Sequence, residues 1–437
     1  MKRKFYNQLL NWKNTNLHVP LMVIGARQVG KTYLLEQFCK ENFKNYYYIN
    51  FMKEKRFIEV FESMDSFDKK VQALELLVGG SIRNGDNTIL FVDEAQESED
   101  FIESLKFFNE SSDSFNIVCA GSLLGVAFKR FNSSFPVGKV ILKNMYPLDF
   151  EEFLWATNND KYIDIIRDSF SNNTPLNSVL HDTLLDLFNK YLYLGGMPNV
   201  INNFLDNNMN MSLIDNDVIK QIIEAYFNDM SKYADDREAI RIKNLYSCIP
   251  SQLAKENQKF IFTTIDPKDN RKRDYITALD WLIASKLVLP CNQVTAPSFP
   301  LKGYLNQDNF KLYLSDTGIL NSLLGISLNE PFSYKGVVVE NYVANELSKM
   351  GFELFYWSRK GKNNGNAEID FLIQNGVSII PIDVKAGNNV QAKSLRVYND
   401  IYKPNISIRI STNNFSLNDN VKDIPLYSLF CLQDYIN

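Results

Sequence analysis

The amino-acid sequence predicts an α/β protein. Its first 150 or so residues read as a buried parallel sheet, its middle as mostly helices, and its end as a second, smaller α/β segment. Three observations carry this. Short apolar runs (Leu21–Ile24, Ile89–Val92, Ile117–Ala120) alternate with amphipathic stretches. A glycine-punctuated turn, GARQVGKT (Gly25–Thr32), joins the first run to the helix-like stretch that follows. Near the C-terminus, two strand-like segments that each carry an acid, EIDFLI (Glu368–Ile373) and IIPIDVK (Ile379–Lys385), flank an Asn375-Gly376 turn. Strands apolar on both faces belong in a sheet covered by helices on both sides.

The turn comes first because it is the most specific. It fits G-x-x-x-x-G-K-S/T, with Gly25, Gly30, Lys31 and Thr32 at the fixed places and Ala26, Arg27, Gln28 and Val29 between them. Strand, glycine turn, helix is the context that makes this pattern a P-loop. Glycines let successive backbone N–H groups point inward at phosphate oxygens, and the helix N-terminus adds partial positive charge there. Lys31 reaches the β- and γ-phosphates, and the Thr32 hydroxyl ligates Mg²⁺. ATP and Mg²⁺ are therefore the expected ligands.

Residues 1–20 read as a short helix, with Phe5, Leu9 and Trp12 at helical spacing. A second strand is expected over Tyr46–Phe51, then helices near 54–63 and 67–79. Thr88-Ile89-Leu90-Phe91-Val92-Asp93-Glu94 is a buried strand ending in two acids, a Walker B signature. Asp93 is expected to hold Mg²⁺ through water and Glu94 to polarise the attacking water. A helix near 100–109 precedes a strand over Asn116–Ser122, whose polar end, Ser122, stands at a sensor position or caps the next helix. Lys139–Leu142 reads as one more strand, and Pro147 opens a helix around 149–157.

Composition narrows the alternatives. The chain has 437 residues and a formal net charge of −4, so no global basic field points to nucleic acid, and any DNA site is a local patch. Five cysteines without C-x-x-C spacing read as reduced thiols of a cytoplasmic protein rather than a disulfide frame or zinc site. With only two histidines, a histidine-rich metal site or a Ser-His-Asp triad is disfavoured. The N-terminus lacks a signal-peptide core, and no apolar run is long enough to span a membrane.

Beyond residue 160 the pattern is mostly helical. Tyr193-Leu194-Gly195-Gly196-Met197-Pro198 is a punctuating turn with a structural task. Helices are expected over Ile242–Ala254 and Arg273–Ser285, with a strand over Lys286–Leu289. Arg271-Lys272-Arg273 is a basic cluster that serves either DNA contact or solvation. Further on, Val337–Met350 is an amphipathic helix bearing Glu340, Trp357 ends a strand, and Arg359–Asn366 is a hairpin. Asp383 and Lys385 lie two apart on one strand and so on one face, and an adjacent antiparallel strand can bring Asp370 beside them. Asp370 and Asp383, completed by Glu340, form a candidate Mg²⁺ shell, with Lys385 beside a scissile phosphate.

Two resemblances rest on these motifs. GARQVGKT, the DEAQ after the Walker B strand, AGSLLG and MYPLDFEEFL resemble bacterial and archaeal ATPases of the AAA-like superfamily, which fuse an AAA-type module to a nuclease-like C-terminal domain. E…D…D-x-K, followed by a helix with Gln391 and Lys393, resembles the PD-(D/E)xK nuclease core. The resemblance implies an AAA-type P-loop domain over 1–157, a helical and winged-helix region over 158–330, and a nuclease-like domain over 331–437. It further implies DNA as a partner and assembly with copies of itself. Members often place an arginine near Lys139; here the stretch is Gly138-Lys139, which leaves Arg130 as the candidate arginine finger. The expected function is ATP hydrolysis coupled to DNA binding or metal-dependent cleavage. The alternative is a nucleotide-dependent switch or interaction protein with an inert nuclease-like domain.

Overall fold

The computed structural model describes residues 1–64, 66–83, 85–122, 138–232, 235–255, 258–265, 271–326, 335–359, 366–386 and 393–436. Two compact units emerge. One is Lys2–Tyr146 with Ala284–Lys286; the other is Met1 with Pro147–Ile283 and Leu287–Asn437.

In the smaller unit five parallel strands form one sheet. They are β1 (Leu21–Ile24), β2 (Asn45–Asn50), β3 (Thr88–Asp93), β4 (Ile117–Gly121) and β5 (Ile141–Asn144), in the order β2-β3-β4-β1-β5. Every residue of β1, β3 and β4 is buried, as runs apolar on both faces require. Around the sheet run α1 (Phe5–Thr15), α2 (Lys31–Asn42), α3 (Arg56–Ser63), α4 (Phe67–Val78) and α5 (Glu99–Glu110). Phe5, Leu9 and Trp12 form the buried face of α1, and the Trp12 indole donates to the Val19 carbonyl. Ser98 caps α5 by accepting from Phe101 N, supplying one of the partners a helix start lacks.

Two of the boundaries that differ from the expectation lie beside the phosphate loop and the acids. The strand expected over Lys139–Leu142 runs two residues later. Its register is set by β1, with Leu21 opposite Ile141, and Met145 N donates to Ile24 O just beyond the strand. Glu94 leaves β3 altogether, with φ 54° in the left-handed region.

The larger unit opens with α6 (Phe150–Ala156), α7 (Lys161–Asn172), α8 (Ser178–Leu194), α9 (Pro198–Asp206), α10 (Asp217–Lys232), α11 (Asp236–Leu253) and α12 (Lys272–Ala284). Helix α6 lies in this unit although the expected first domain ran to residue 157. Phe150 packs on Phe188 and Tyr191, and Phe153 on Tyr191 and Phe204. A full capping box starts α6: Asp149 accepts from Glu152 N while Glu152 accepts from Asp149 N.

An eight-stranded mixed sheet follows. Its strands are β6 (Val288–Val294), β7 (Leu305–Leu314), β8 (Leu354–Arg359), β9 (Ala367–Asn375), β10 (Ser378–Val384), β11 (Ser407–Ser411), β12 (Ser416–Asn418) and β13 (Val421–Pro425). The order is β12-β13-β11-β10-β9-β8-β6-β7. Helices α13 (Thr317–Leu324), α14 (Lys335–Lys349), α15 (Lys393–Tyr402) and α16 (Leu432–Ile436) complete the unit. The ten residues of β7 were not expected as a strand, because Asn306-Gln307-Asp308-Asn309 reads as loop; tertiary pairing with β6 makes the strand. β6 pairs β7 on one edge and β8 on the other, so a single sheet runs across the expected boundary at residue 330. Trp357 does not end its strand, since β8 continues until Arg359 pairs with Ala367.

The Gly-Gly-x-Pro turn between α8 and α9 has a packing reason. Gly195 has φ 74°, and a Cβ there would lie 2.2 Å from Asp316 Oδ1. Asp316 accepts from Gly196 N at 2.6 Å and caps α13 by accepting from Ile319 N at 3.0 Å. One carboxylate thereby holds two helix ends, and only glycine lets it approach.

Candidate functional sites

The first site stands at the C-terminal edge of the parallel sheet. β1 ends at Ile24, the loop Gly25–Gly30 curls, and α2 starts at Lys31. Gly25 admits no side chain, because a Cβ would lie 2.2 Å from Met145 O. Ala26 and Val29 are buried, Gln28 has φ 67° and Gly30 has φ 93°. Arg3 anchors the loop by donating to Val29 O at 2.9 Å. The Lys31 ammonium is buried and donates to Gly25 O and Ala26 O, both at 2.8 Å. It is folded back onto its own loop.

β3 delivers Asp93 to the same place. The Thr32 hydroxyl donates to Asp93 Oδ2 at 3.1 Å, so the P-loop and the acid strand meet. Tyr48 OH and Asn50 Nδ2 donate to the same oxygen, at 3.1 and 3.3 Å. These oxygen donors, a hydroxyl and a carboxylate in contact, fit a hard divalent cation. Glu94 is fixed by its own N–H, which donates to Asp93 Oδ1 at 3.1 Å, and by Gln96 Nε2, which donates to Glu94 Oε2 at 2.6 Å. Burial raises the Glu94 pKa above the usual glutamate range, with the Gln96 amide working the other way. Gln96 is itself buried, and its Oε1 has no hydrogen-bond partner. β4 runs between β1 and β3, which puts buried Ser122 at the end of the strand separating the loop from the acids. Of the other candidates, Lys139 pairs with Glu110 at 2.9 Å on the surface. Arg130 lies outside the described residues.

The second site lies on the mixed sheet, and α14 packs across β6, β7, β8 and β10. One step beyond the Ile382–Phe371 pair, the antiparallel register puts Asp383 opposite Asp370, on one face. Asp370 Oδ2 accepts from Val384 N at 2.7 Å. Lys385 Nζ donates to Asp383 Oδ1 at 2.8 Å, while Asp383 Oδ2 is buried with no partner. Burial, with Glu340 and Asp383 nearby, raises the Asp370 pKa to about 8 against the pull of Lys311 and Lys385. Burial lowers the Lys385 pKa, but Asp370 and Asp383 outweigh it and raise the value overall.

Glu340 points into the same region but is held otherwise. Its Oε1 accepts from Lys311 Nζ at 2.9 Å and from Tyr313 OH at 2.5 Å. Lys311, 1% exposed at its side chain, also pairs with Glu368 at 2.8 Å and donates to Gln258 Oε1 at 3.0 Å. Among the described residues no group of three or more His, Cys, Asp or Glu is arranged to hold a metal. The facing pair Asp370 and Asp383, with its orphaned oxygen, fits a cation; the three-carboxylate shell with Glu340 does not form. Sequence reasoning missed Lys311 and Tyr313. Their alternation on Phe310-Lys311-Leu312-Tyr313-Leu314 was the available signal, masked by the polar stretch before it. It also missed Gln96, Tyr48 and Asn50. Gln391 lies outside the described residues.

In the middle region Arg271, Lys272 and Arg273 are all exposed, and Lys272 bonds Gln307 O and Asp308. No helix of the described residues is long and apolar enough to cross a membrane.

Comparison with known proteins bears on the first site. Residues 18–154 match the model of an AAA domain, residues 185–330 a domain of unknown function (DUF8612), and residues 335–429 another (DUF4143). An uncharacterized protein of Methanocaldococcus jannaschii is 26% identical over 413 residues, covering 90% of this chain and 82% of that protein. Among solved structures, the Walker-type ATPase PABY2304 of Pyrococcus abyssi is 15% identical, with a TM-score of 0.41, covering 74% of this chain and 95% of that one. The Aeropyrum pernix ORC2 protein is 12% identical, with a TM-score of 0.37, covering 78% and 92%. The family match and the meeting of Gly25–Thr32 with Asp93 on a parallel sheet agree: residues 18–154 form an AAA-type P-loop ATPase domain.

Proposed function

We propose that this protein binds and hydrolyses ATP at the loop Gly25–Thr32, and that its C-terminal module, residues 331–437, is nuclease-like. The observation that carries the first part is the contact between Thr32 and Asp93, which supports a shared Mg²⁺ position at the sheet edge. In this reading the N–H groups of residues 26–32 cradle the phosphates, and Lys31 leaves its loop carbonyls to neutralise the β- and γ-phosphate oxygens. Thr32 and Asp93 hold Mg²⁺, which supplies positive charge against the phosphate oxygens when bound. Glu94 accepts the proton of the attacking water, and Ser122 contacts the nucleotide from β4. ATP turnover by the full chain, with Lys31→Ala and Glu94→Gln beside it, tests this. Turnover at the parent rate by Glu94→Gln would sink the role given to that residue.

The nuclease-like reading of the C-terminal module rests on α14, β8, β9, β10, α15 and β11 in that chain order, and on Asp370 and Asp383 facing each other. DNA is the proposed partner, through the exposed Arg271–Arg273 cluster of a winged-helix-like segment in which α11, α12 and the β6–β7 hairpin follow one another. Cleavage of DNA with Mn²⁺, abolished by Asp383→Ala while ATP turnover persists, is the expected result. The second reading is a nucleotide-dependent switch whose nuclease-like module is inert. The Lys311–Glu340 ion pair favours it, because a carboxylate satisfied by a buried ammonium is a poor metal ligand. It predicts ATP-dependent binding of DNA or another partner without cleavage under any metal.

A further inference from the structure

The acidic centre of the mixed sheet contains a cation of its own. Lys311 lies on β7, outside the segment that carries Glu340, Asp370, Asp383 and Lys385, and reaches their region across the face of the sheet. Its ammonium sits 5.1 Å from the Tyr356 ring centroid and holds carboxylates from two elements, Glu340 of α14 and Glu368 of β9. Tyr313, two residues along the same strand, adds a second donor to Glu340 Oε1. Such an arrangement is stable only if the ammonium stays charged, and the carboxylates raise the Lys311 pKa despite its burial. On the other side of the cluster, Asp383 Oδ2 is fully buried and unpartnered, next to Asp370. Buried acceptors without a partner are uncommon, and this one belongs to the carboxylate whose other oxygen Lys385 holds.

We infer that Lys311 is a built-in counter-cation that takes Glu340 and Glu368 out of the ligand set, leaving Asp370 and the unpartnered Oδ2 of Asp383, whose Oδ1 Lys385 holds, to a divalent ion. This rests on the nuclease-like reading of the module and deepens it. The site takes a single hard cation with few protein oxygens, and the strand supplied by the middle region sets how tightly it does so. The Lys311 ammonium cannot leave without uncovering the buried Glu340 carboxylate and giving up its pair with the partly exposed Glu368, so Lys311 acts as a fixed charge and not as an exchangeable ligand.

Calorimetric titration of the full chain with Mn²⁺ alone tests this, in an Asp93→Asn background that removes the P-loop carboxylate. The expected pattern has two parts. Asp383→Asn weakens Mn²⁺ at least about tenfold while Glu340→Gln changes it less than about threefold; Lys311→Gln tightens it at least about tenfold by releasing Glu340. If Lys311→Gln does not fold, the comparison of Glu340→Gln with Asp383→Asn decides alone, since Lys311 keeps Glu368 and Gln258 there. A Glu340→Gln protein as impaired as Asp383→Asn, or a folded Lys311→Gln that binds no tighter, overturns the inference and leaves the metal reading intact. No Mn²⁺ uptake by any of these proteins overturns the metal reading and the inference with it.

Discussion

Two lysines at the centres of the two units make opposite use of the same chemistry. Lys31 donates to backbone carbonyls of its own loop, whereas Lys311 donates to two carboxylates and an amide. A carbonyl is a weak partner for an ammonium, and a phosphate readily replaces it; a buried carboxylate such as Glu340 is not given up without leaving charge in a low-dielectric interior. In the proposed reading the first lysine moves to a phosphate, and the second is part of the architecture. Burial alone does not separate them, since both side chains are hidden from solvent.

The comparison breaks most sharply by exchange of effects. Lys31→Ala and Glu94→Gln are each expected to lower the ATP turnover number by roughly a hundredfold or more, with melting temperature nearly unchanged. Steady-state kinetics beside a thermal melt reads both. Lys311→Ala should do the reverse: a loss of about 3–5 kcal/mol in the larger unit, measured by urea unfolding, with ATP turnover preserved below the new midpoint. A Lys311→Ala protein as stable as the parent would remove the contrast.

Close backbone approaches sharpen it at an intermediate level. A Cβ at Gly195 meets Asp316, so Gly195→Ala should cost roughly 1–3 kcal/mol through overpacking, read by the same unfolding curve. Gly25→Ala meets Met145 O at the same distance, but its expected readout is ATP turnover, because the strain falls on the phosphate loop. A smaller effect belongs to Gln96. Removing its amide from Glu94 in Gln96→Ala should lower the turnover number about tenfold while leaving the KM for ATP close to the parent value.

The smallest expected effect is in pH. Burial raises the Asp316 pKa above the usual range, against the N–H donors of Gly196 and Ile319. The folded chain then keeps a proton that the unfolded chain has released, so this group's contribution is full below the ordinary aspartate pKa. It declines as pH rises through the raised folded value. Unfolding midpoints measured from acid to neutral pH should carry this downward component, and Asp316→Asn should flatten it.

Most of the phosphate-loop site was legible in the sequence, because its chemistry is local. Gly25–Thr32 is one contiguous turn, and Asp93 and Ser122 end strands whose apolar runs announce them. That the strands are parallel follows from the strand–helix alternation; the order that brings β4 between β1 and β3 was set by packing. The second site was legible in part. Asp370 and Asp383 face each other because a short turn at Asn375-Gly376 fixes an antiparallel register, and register is a sequence property when the turn is this tight.

What the sequence determined by itself, then, was what a short turn or a single strand end could fix: the loop, the acids at the end of β3, and the facing aspartates. What only the tertiary structure decided were contacts made across many residues. Lys311 lies 29 residues from Glu340 and pairs with it through a strand that exists only because β6 and β7 join the sheet. Asp316 meets Gly196 across 120 residues, and the left-handed turn at Glu94 places its carboxylate against Gln96. Periodicity reports which face of a segment is apolar; which buried charge it will meet is set by how the faces pack.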